Sequence, residues 1–274
     1  MAATASKLIK PDRTRLVKLQ VRSSERLSPH FARVTVGGGS IEHFVPRRYD
    51  QWFRLFIPRS DDTALDRLPD KVGTIGYLKY LRINAEIRPE LRNYTVRAFR
   101  PDGAHGPEID IDFVLHGSAA DGTAGPGATF AETCEPGDWI GIVDEGLVFD
   151  AAVGTQDLVL ATDETGVPGT AGILRDLPAD ATGVAVLEVP SEADVLTLDG
   201  PLGVEQRWIV RGTDERPGAR ALAEVEKLAV SEITHGYAVG ESSLATGVRR
   251  HLVDAGVPKD RINFCGYWKL DDRR

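Results

Sequence analysis

Cysteine is nearly absent: the 274 residues hold only Cys134 and Cys265, far apart and in no paired spacing. That excludes a disulfide framework and a cysteine-ligated zinc or iron–sulfur site. Any redox chemistry then has to come from a bound organic cofactor. Long apolar runs are missing as well. Met1–Arg13 holds charged and small residues with no apolar stretch of secretory length, and no later segment approaches a membrane span. The expectation is a soluble, unexported, cytoplasmic protein. A basic surplus is lacking too, since 33 Lys and Arg stand against 41 Asp and Glu for a formal net charge of -8. This disfavours a long nucleic-acid footprint, because neutralising phosphates needs a basic surface. What the chain does have is length enough for two domains of ordinary size, each with its own core.

From Leu16 to about residue 145 the apolar period is two, the mark of strands with one buried face. Val17, Leu19 and Val21 alternate with Lys18, Gln20 and Arg22; Ala32, Val34 and Val36 with Phe31, Arg33 and Thr35; Phe53, Leu55 and Ile57 with Trp52, Arg54 and Phe56. Further strands are expected at Tyr94–Phe99, Ile109–His116 and Trp139–Val143, with Arg100-Pro-Asp-Gly103 as a turn between two of them. Short strands at this spacing predict an antiparallel β-barrel over 14–150. Ser60–Arg92 is charged and weakly patterned, and reads as a loop with one irregular helix. Beyond Ala151–Gln156 the rhythm changes. Apolar runs at Leu158–Ala161, Val184–Leu187, Trp208–Val210, Tyr237–Val239 and Ile262–Cys265 alternate with helix-period stretches at Val167–Leu177, Ala219–Ala229 and Ser242–Ala255. This predicts a parallel-sheet α/β domain over 156–274, with ligand crevices beyond the carboxyl ends of its strands.

Arg92-Asn-Tyr94-Thr95-Val96-Arg97 puts an aromatic ring and a hydroxyl on opposite faces of one strand, between two guanidiniums. Tyrosine can stack on a flavin, threonine can bond a ring nitrogen, and arginine can grip a pyrophosphate with its fork of donors. Taken alone, the hexapeptide is equally a solvated strand edge. Downstream lie Asp110-Ile-Asp112-Phe113-Val114-Leu-His116-Gly117 and Gly125-Pro126-Gly-Ala128-Thr129, a glycine-rich turn entering a short helix. Backbone amides at such a helix start suit a pyrophosphate.

In order and spacing these motifs resemble the siderophore-interacting proteins, a flavin-dependent family of the ferredoxin-reductase-like superfamily, from about Leu16 to Trp268. The resemblance implies a barrel that binds FAD, followed by an α/β domain that binds NADH or NADPH. It also implies electron transfer to an iron(III)–siderophore with release of iron(II). Arg92, Tyr94, Thr95, Val96 and Arg97 would hold the flavin ring and phosphates, with Thr95 and Tyr94 at the reacting ring. Asp112, Phe113, Val114, His116 and Gly117 would line the same cofactor, and Gly125, Pro126, Ala128 and Thr129 would cap its pyrophosphate. Asp163-Glu164-Thr165 and Gly240-Glu241 resemble the nucleotide-facing loops, with Thr162 where glycine is usual. Phe264-Cys-Gly-Tyr-Trp-Lys269 resembles the family's closing signature, and Asp144-Glu145-Gly146 stands where many relatives carry Gly-Pro-Gly. Arg54, at a position where relatives commonly carry a lysine, and Lys269 would bind an anionic ferric siderophore at a basic mouth over the flavin edge.

Blander readings stand beside several of these. Asp112 is equally a turn-anchoring carboxylate, His116 a structural histidine, and Cys265 a small buried hydrophobe left out of catalysis. Arg249 and Arg250 are expected to face outward, away from the stripe of Leu244, Val248 and Leu252. Glu188, ending the second α/β strand, is positioned to bond a ribose hydroxyl and so to favour NADH. Two other functions fit the same frame: a general flavin reductase or oxygenase electron-transfer component, and a siderophore-binding module without turnover.

Overall fold

The alternation of the first half folds into an antiparallel sheet of seven strands. In the computed structural model, which describes residues 6, 8–59, 62–68 and 74–270, these are β1 (Leu16–Ser28), β2 (Phe31–Gly37), β3 (Trp52–Ile57), β4 (Glu90–Thr95), β5 (Ala98–Gly103), β6 (Gly106–Val114) and β7 (Trp139–Gly146). Their order is β4-β3-β7-β1-β2-β6-β5. The two outermost strands, β4 and β5, are joined by Val96-Arg97 alone, so the sheet curls into a barrel. Val17, Leu19, Val21, Val34, Val36, Phe53, Leu55 and Ile57 meet inside it, as their period of two requires.

The expected strand Tyr94–Phe99 is in fact two. Val96 N bonds Gln51 O at 2.8 Å whereas Arg97 N bonds Asp110 O at 2.9 Å, so the chain changes partner between them and the ladder breaks. Arg100-Pro-Asp-Gly103 is correspondingly part of β5, and the turn falls one step later, where Gly103 pairs with Gly106. Within the loop expected over 60–92, α1 spans Thr74–Leu81; positions 60–61 and 69–73 lie outside the described residues. Helix α2 (Pro126–Thr133) packs on the barrel through Ala128 and Ala131.

The second unit is a parallel sheet of β8 (Leu158–Thr162), β9 (Gly183–Val189), β10 (Val204–Val210), β11 (His235–Glu241) and β12 (Ile262–Trp268), in the order β10-β9-β8-β11-β12. Helices α3 (Val167–Asp176), α4 (Ala219–Val225) and α5 (Ser242–Asp254) connect these strands. The stripe Leu244, Val248 and Leu252 is buried as its spacing predicts, against Val159, Ala238 and Phe264. The order turns back between β8 and β11, which makes that pair the switch point where such sheets take ligands.

The division between the units falls at Gly146/Leu147, and Arg48–Asp50 clusters with the second unit rather than with the barrel sequence around it. Asp50 explains this: its fully buried carboxylate accepts from Phe149 N at 3.1 Å, Val148 N at 3.3 Å and the Tyr237 hydroxyl at 3.1 Å. Among the described residues no helix is long and apolar enough to cross a membrane.

Candidate active site

Strand β4 carries the centre of the barrel site. Arg92 is exposed, with its Nη1 on Leu91 O at 2.7 Å and Glu90 3.2 Å away. Two residues on, Tyr94 presses its ring on Phe113 at a centroid distance of 4.3 Å. Burial pushes the Tyr94 hydroxyl up, so it stays neutral. Its tip reaches the start of α2, where a Cβ on Gly127 would lie 2.0 Å from the hydroxyl oxygen; no residue with a side chain fits there. Thr95 faces the other way, as period two demands, and is 7% exposed. It is paired in register with Trp52, and Arg54 with Asn93, so Thr95, Trp52 and Arg54 share one sheet face. The Trp52 indole Nε1 is buried on that face and meets no acceptor among the described residues.

Other residues expected here serve as supports. Phe113 is fully buried and Val96 5% exposed, because β6 and the β4–β5 junction are covered on both sides. Both belong to the core cluster against which Tyr94 packs. Asp112 is neither a turn anchor nor an open carboxylate: Arg33 clasps it through two bonds of 2.7 and 2.8 Å and Arg97 lies 3.5 Å away. The second guanidinium of the motif therefore stands beside an internal acid. Val114 is half-buried and His116 exposed, ahead of Gly117 at φ 73°. Gly125 caps α2 without any side-chain bond, Pro126 opens the helix, and Thr129 N bonds Gly125 O at 2.9 Å. The amides of Gly127 and Ala128 have no side-chain cap and can serve a ligand.

FAD fits these residues on two observations: a donor, Trp52 Nε1, buried beside Thr95 with no acceptor, and a helix start with no side-chain cap beneath Tyr94.

In the parallel sheet, the acids of the loops after β8 and β11 are turned inward. Asp163 is fully buried. It accepts from Thr165 N (2.9 Å), Thr165 Oγ1 (2.5 Å), Glu241 N (2.6 Å) and Trp268 Nε1 (3.1 Å), pinning the ends of three strands together. Burial, and then the Glu164 charge, push its carboxyl up. Gly240, at φ 122°, lets the chain pass it, since a Cβ would come within 2.6 Å of that carboxyl. Glu164 is held by Arg211 through a bond of 2.7 Å, and Glu241 caps α5 at Ser243 N, 2.6 Å away. These three acids were expected to touch the nucleotide. Instead they shape the crevice, and Thr165 alone of the Asp163–Thr165 turn is not fully buried. Thr162 is buried with its hydroxyl on Asp163 O at 2.8 Å.

The expected ribose contact of Glu188 is corrected in the same way. Its buried carboxylate accepts from Gly218 N at 2.7 Å and Ala221 N at 2.9 Å, holding the start of α4, so it gives no preference for NADH. Burial pushes the Cys265 thiol up to about 11, which keeps it protonated at neutral pH, in line with its exclusion from catalysis. Arg249 stacks over Phe264 at 5.1 Å, and Arg250 and Lys269 are exposed.

Sequence reasoning missed Trp52 as a donor, Arg33 as the partner of Asp112, and Glu145. The last lies 2.8 Å from Arg54 Nε.

Two family models match the chain: the siderophore-interacting FAD-binding domain over residues 20–148 and the siderophore-interacting protein over residues 155–271. An uncharacterized protein of Mycobacterium tuberculosis is 32% identical over 193 residues, covering 70% of this chain; the match spans 64% of that relative's own length. The ferric vibriobactin reductase of Vibrio cholerae is 29% identical over 248 residues, 89% of this chain and 85% of the relative. A siderophore utilization protein from T. fusca superposes with a TM-score of 0.73 at 26% identity, over 98% of this chain and 99% of that one.

Proposed function

The chain belongs to the siderophore-interacting proteins, and from that premise we propose that it is an FAD-dependent ferric-siderophore reductase of the cytoplasm, drawing electrons from NADH or NADPH and releasing iron as iron(II). The observation that carries the reading is the shared face of Thr95 and Trp52, which offers a hydroxyl and an indole donor that meets no acceptor among the described residues, next to the motif strand that carries Arg92 and Tyr94.

FAD, when bound, supplies the conversion between two-electron transfer from a nicotinamide and one-electron reduction of iron(III). The residues provide position and charge. Arg92 supplies a fork of donors for phosphate, and the first amides of α2 add to it. The Tyr94 ring, wedged between Phe113 and Gly127, would hold the flavin ring when FAD is bound. Thr95 would give it a hydrogen-bonding hydroxyl. The two electrons of one nicotinamide reduce two irons, and iron(II), larger and less charged, is held more weakly by hard oxygen ligands. In the α/β unit the crevice between β8 and β11 takes the nicotinamide nucleotide, framed by Asp163, Glu164 and Glu241 and touched by Thr165.

Arg92→Ala is expected to weaken FAD binding by about 10- to 100-fold, the weight of a charge-assisted bond pair; unchanged affinity in a flavin titration would remove the phosphate role. Thr95→Val keeps shape and deletes one hydrogen bond. Flavin reduction by the nicotinamide should then slow by roughly three- to tenfold with FAD still bound. A rate equal to wild type in single-turnover absorbance traces rejects the role.

A further inference from the structure

The basic mouth expected from Arg54 presumes a cation open to an anionic complex, and the structure shows a different state. Arg54 Nε lies 2.8 Å from Glu145, with the two side chains only 26% and 11% exposed. Lys10 and Asp144 also act on Glu145, and Asp144 is bonded to Arg47 at 2.6 Å. Each of the two anions thus has a guanidinium against it, Arg47 on Asp144 and Arg54 on Glu145. Glu145 belongs to the Asp144-Glu145-Gly146 segment at the end of β7. Register places it beside the shared face, since Trp52 pairs with Gly146 and Arg54 with Val143.

We propose that this face selects ferric siderophores of little or no net charge, of the tris-hydroxamate kind, over trianionic tris-catecholates. The inference rests on the reductase reading and adds the substrate class to it. Three singly charged hydroxamates balance iron(III), whereas three doubly charged catecholates leave a trianion. A trianion could take Arg54 only by stripping the mostly buried Glu145 carboxylate of its 2.8 Å partner and leaving it to Lys10 alone, which is unfavourable. A closed pair exerts a dipole's field, which fades faster with distance than that of a bare guanidinium and steers an anion weakly. A neutral complex, by contrast, asks for no charge compensation and leaves the Arg54–Glu145 pair closed.

The test uses FAD-loaded protein reduced by NADH or NADPH, reoxidised by a neutral ferric tris-hydroxamate or by a trianionic ferric tris-catecholate. The wild-type kcat/KM ratio of catecholate to hydroxamate should be about one-tenth or less, and Glu145→Gln, which opens the guanidinium, should raise it about tenfold with a steeper salt dependence. The Arg54→Gln/Glu145→Gln pair, uncharged at both positions, should keep the ratio low. A wild type that favours the trianion or treats the two alike overturns the charge selection while leaving the reductase reading intact. A ratio unmoved in Glu145→Gln, or raised in the double variant, overturns the role given to the pair. If neither complex reoxidises a flavin that the nicotinamide does reduce, the selection and the reading beneath it both fall.

Discussion

Gly127→Ala is expected to strip most of the FAD from the protein, and Tyr94→Phe in the same chain to bring much of it back. The alanine Cβ would sit 2.0 Å from the Tyr94 hydroxyl oxygen but 3.2 Å from the ring carbon that bears it. The ring cannot swing aside, because Phe113 holds it from the other side at 4.3 Å. Either the ring plane or the start of α2 must move, and both are proposed flavin contacts. Overpacking of this kind costs about 1–3 kcal/mol, which transferred to the bound state lowers affinity by roughly 10- to 100-fold. Removing the hydroxyl relieves the closest contact and keeps the stacking ring. Flavin fluorescence titrations of the single and double variants decide between outcomes. A Gly127→Ala protein with wild-type affinity, or no recovery in the pair, contradicts the wedge.

The second large effect is in stability against pH. Burial pushes Asp50 up to about 6, over the opposing pull of its bonds from Phe149, Tyr237 and Val148. An unfolded aspartate titrates near 4, so between these values the folded chain holds a proton that the unfolded chain has released. Stability from this group is therefore complete below about pH 4 and is lost as pH rises through 6, by about 3 kcal/mol in all. Asn in its place cannot ionise, and its one carbonyl oxygen can still take the bonds from Val148 N, Phe149 N and the Tyr237 hydroxyl that meet Oδ2. The thermal midpoint of Asp50→Asn, taken relative to wild type, should climb by several degrees from pH 4.5 to pH 7.5, at about 2–4 °C per kcal/mol in a chain of this size. A difference between the two proteins that does not change with pH contradicts the assignment.

The strands of the barrel were legible because one buried face leaves a period of two. Val17, Leu19 and Val21 are 4%, 0% and 0% exposed, as the alternation requires. The break at Val96-Arg97 was not legible, since the run Tyr94–Phe99 is continuous in pattern and the break is a change of hydrogen-bond partner. Motif order singled out Arg92, Tyr94 and Thr95 as the residues proposed to hold FAD. It did not disclose that Asp163, Glu164, Glu188 and Glu241 face the protein, because a carboxylate after a strand reads alike whether it meets a ribose or a helix start. Nor could the Arg54–Glu145 pair be read. It depends on the pairing of β3 with β7, including the register shift between Trp52 and Phe53, which no residue pattern along either strand encodes.

The central claim is electron flow from a nicotinamide through FAD to a ferric siderophore, and stopped-flow absorbance of the flavin measures it directly. Anaerobic protein purified with its FAD should bleach on mixing with NADH or NADPH. It should then regain its visible absorbance when mixed with a ferric siderophore, with a chromogenic iron(II) chelator reporting two irons reduced per flavin. A flavin that bleaches and recovers with small quinone acceptors yet stays bleached with every ferric siderophore would contradict the account and identify a general flavin reductase.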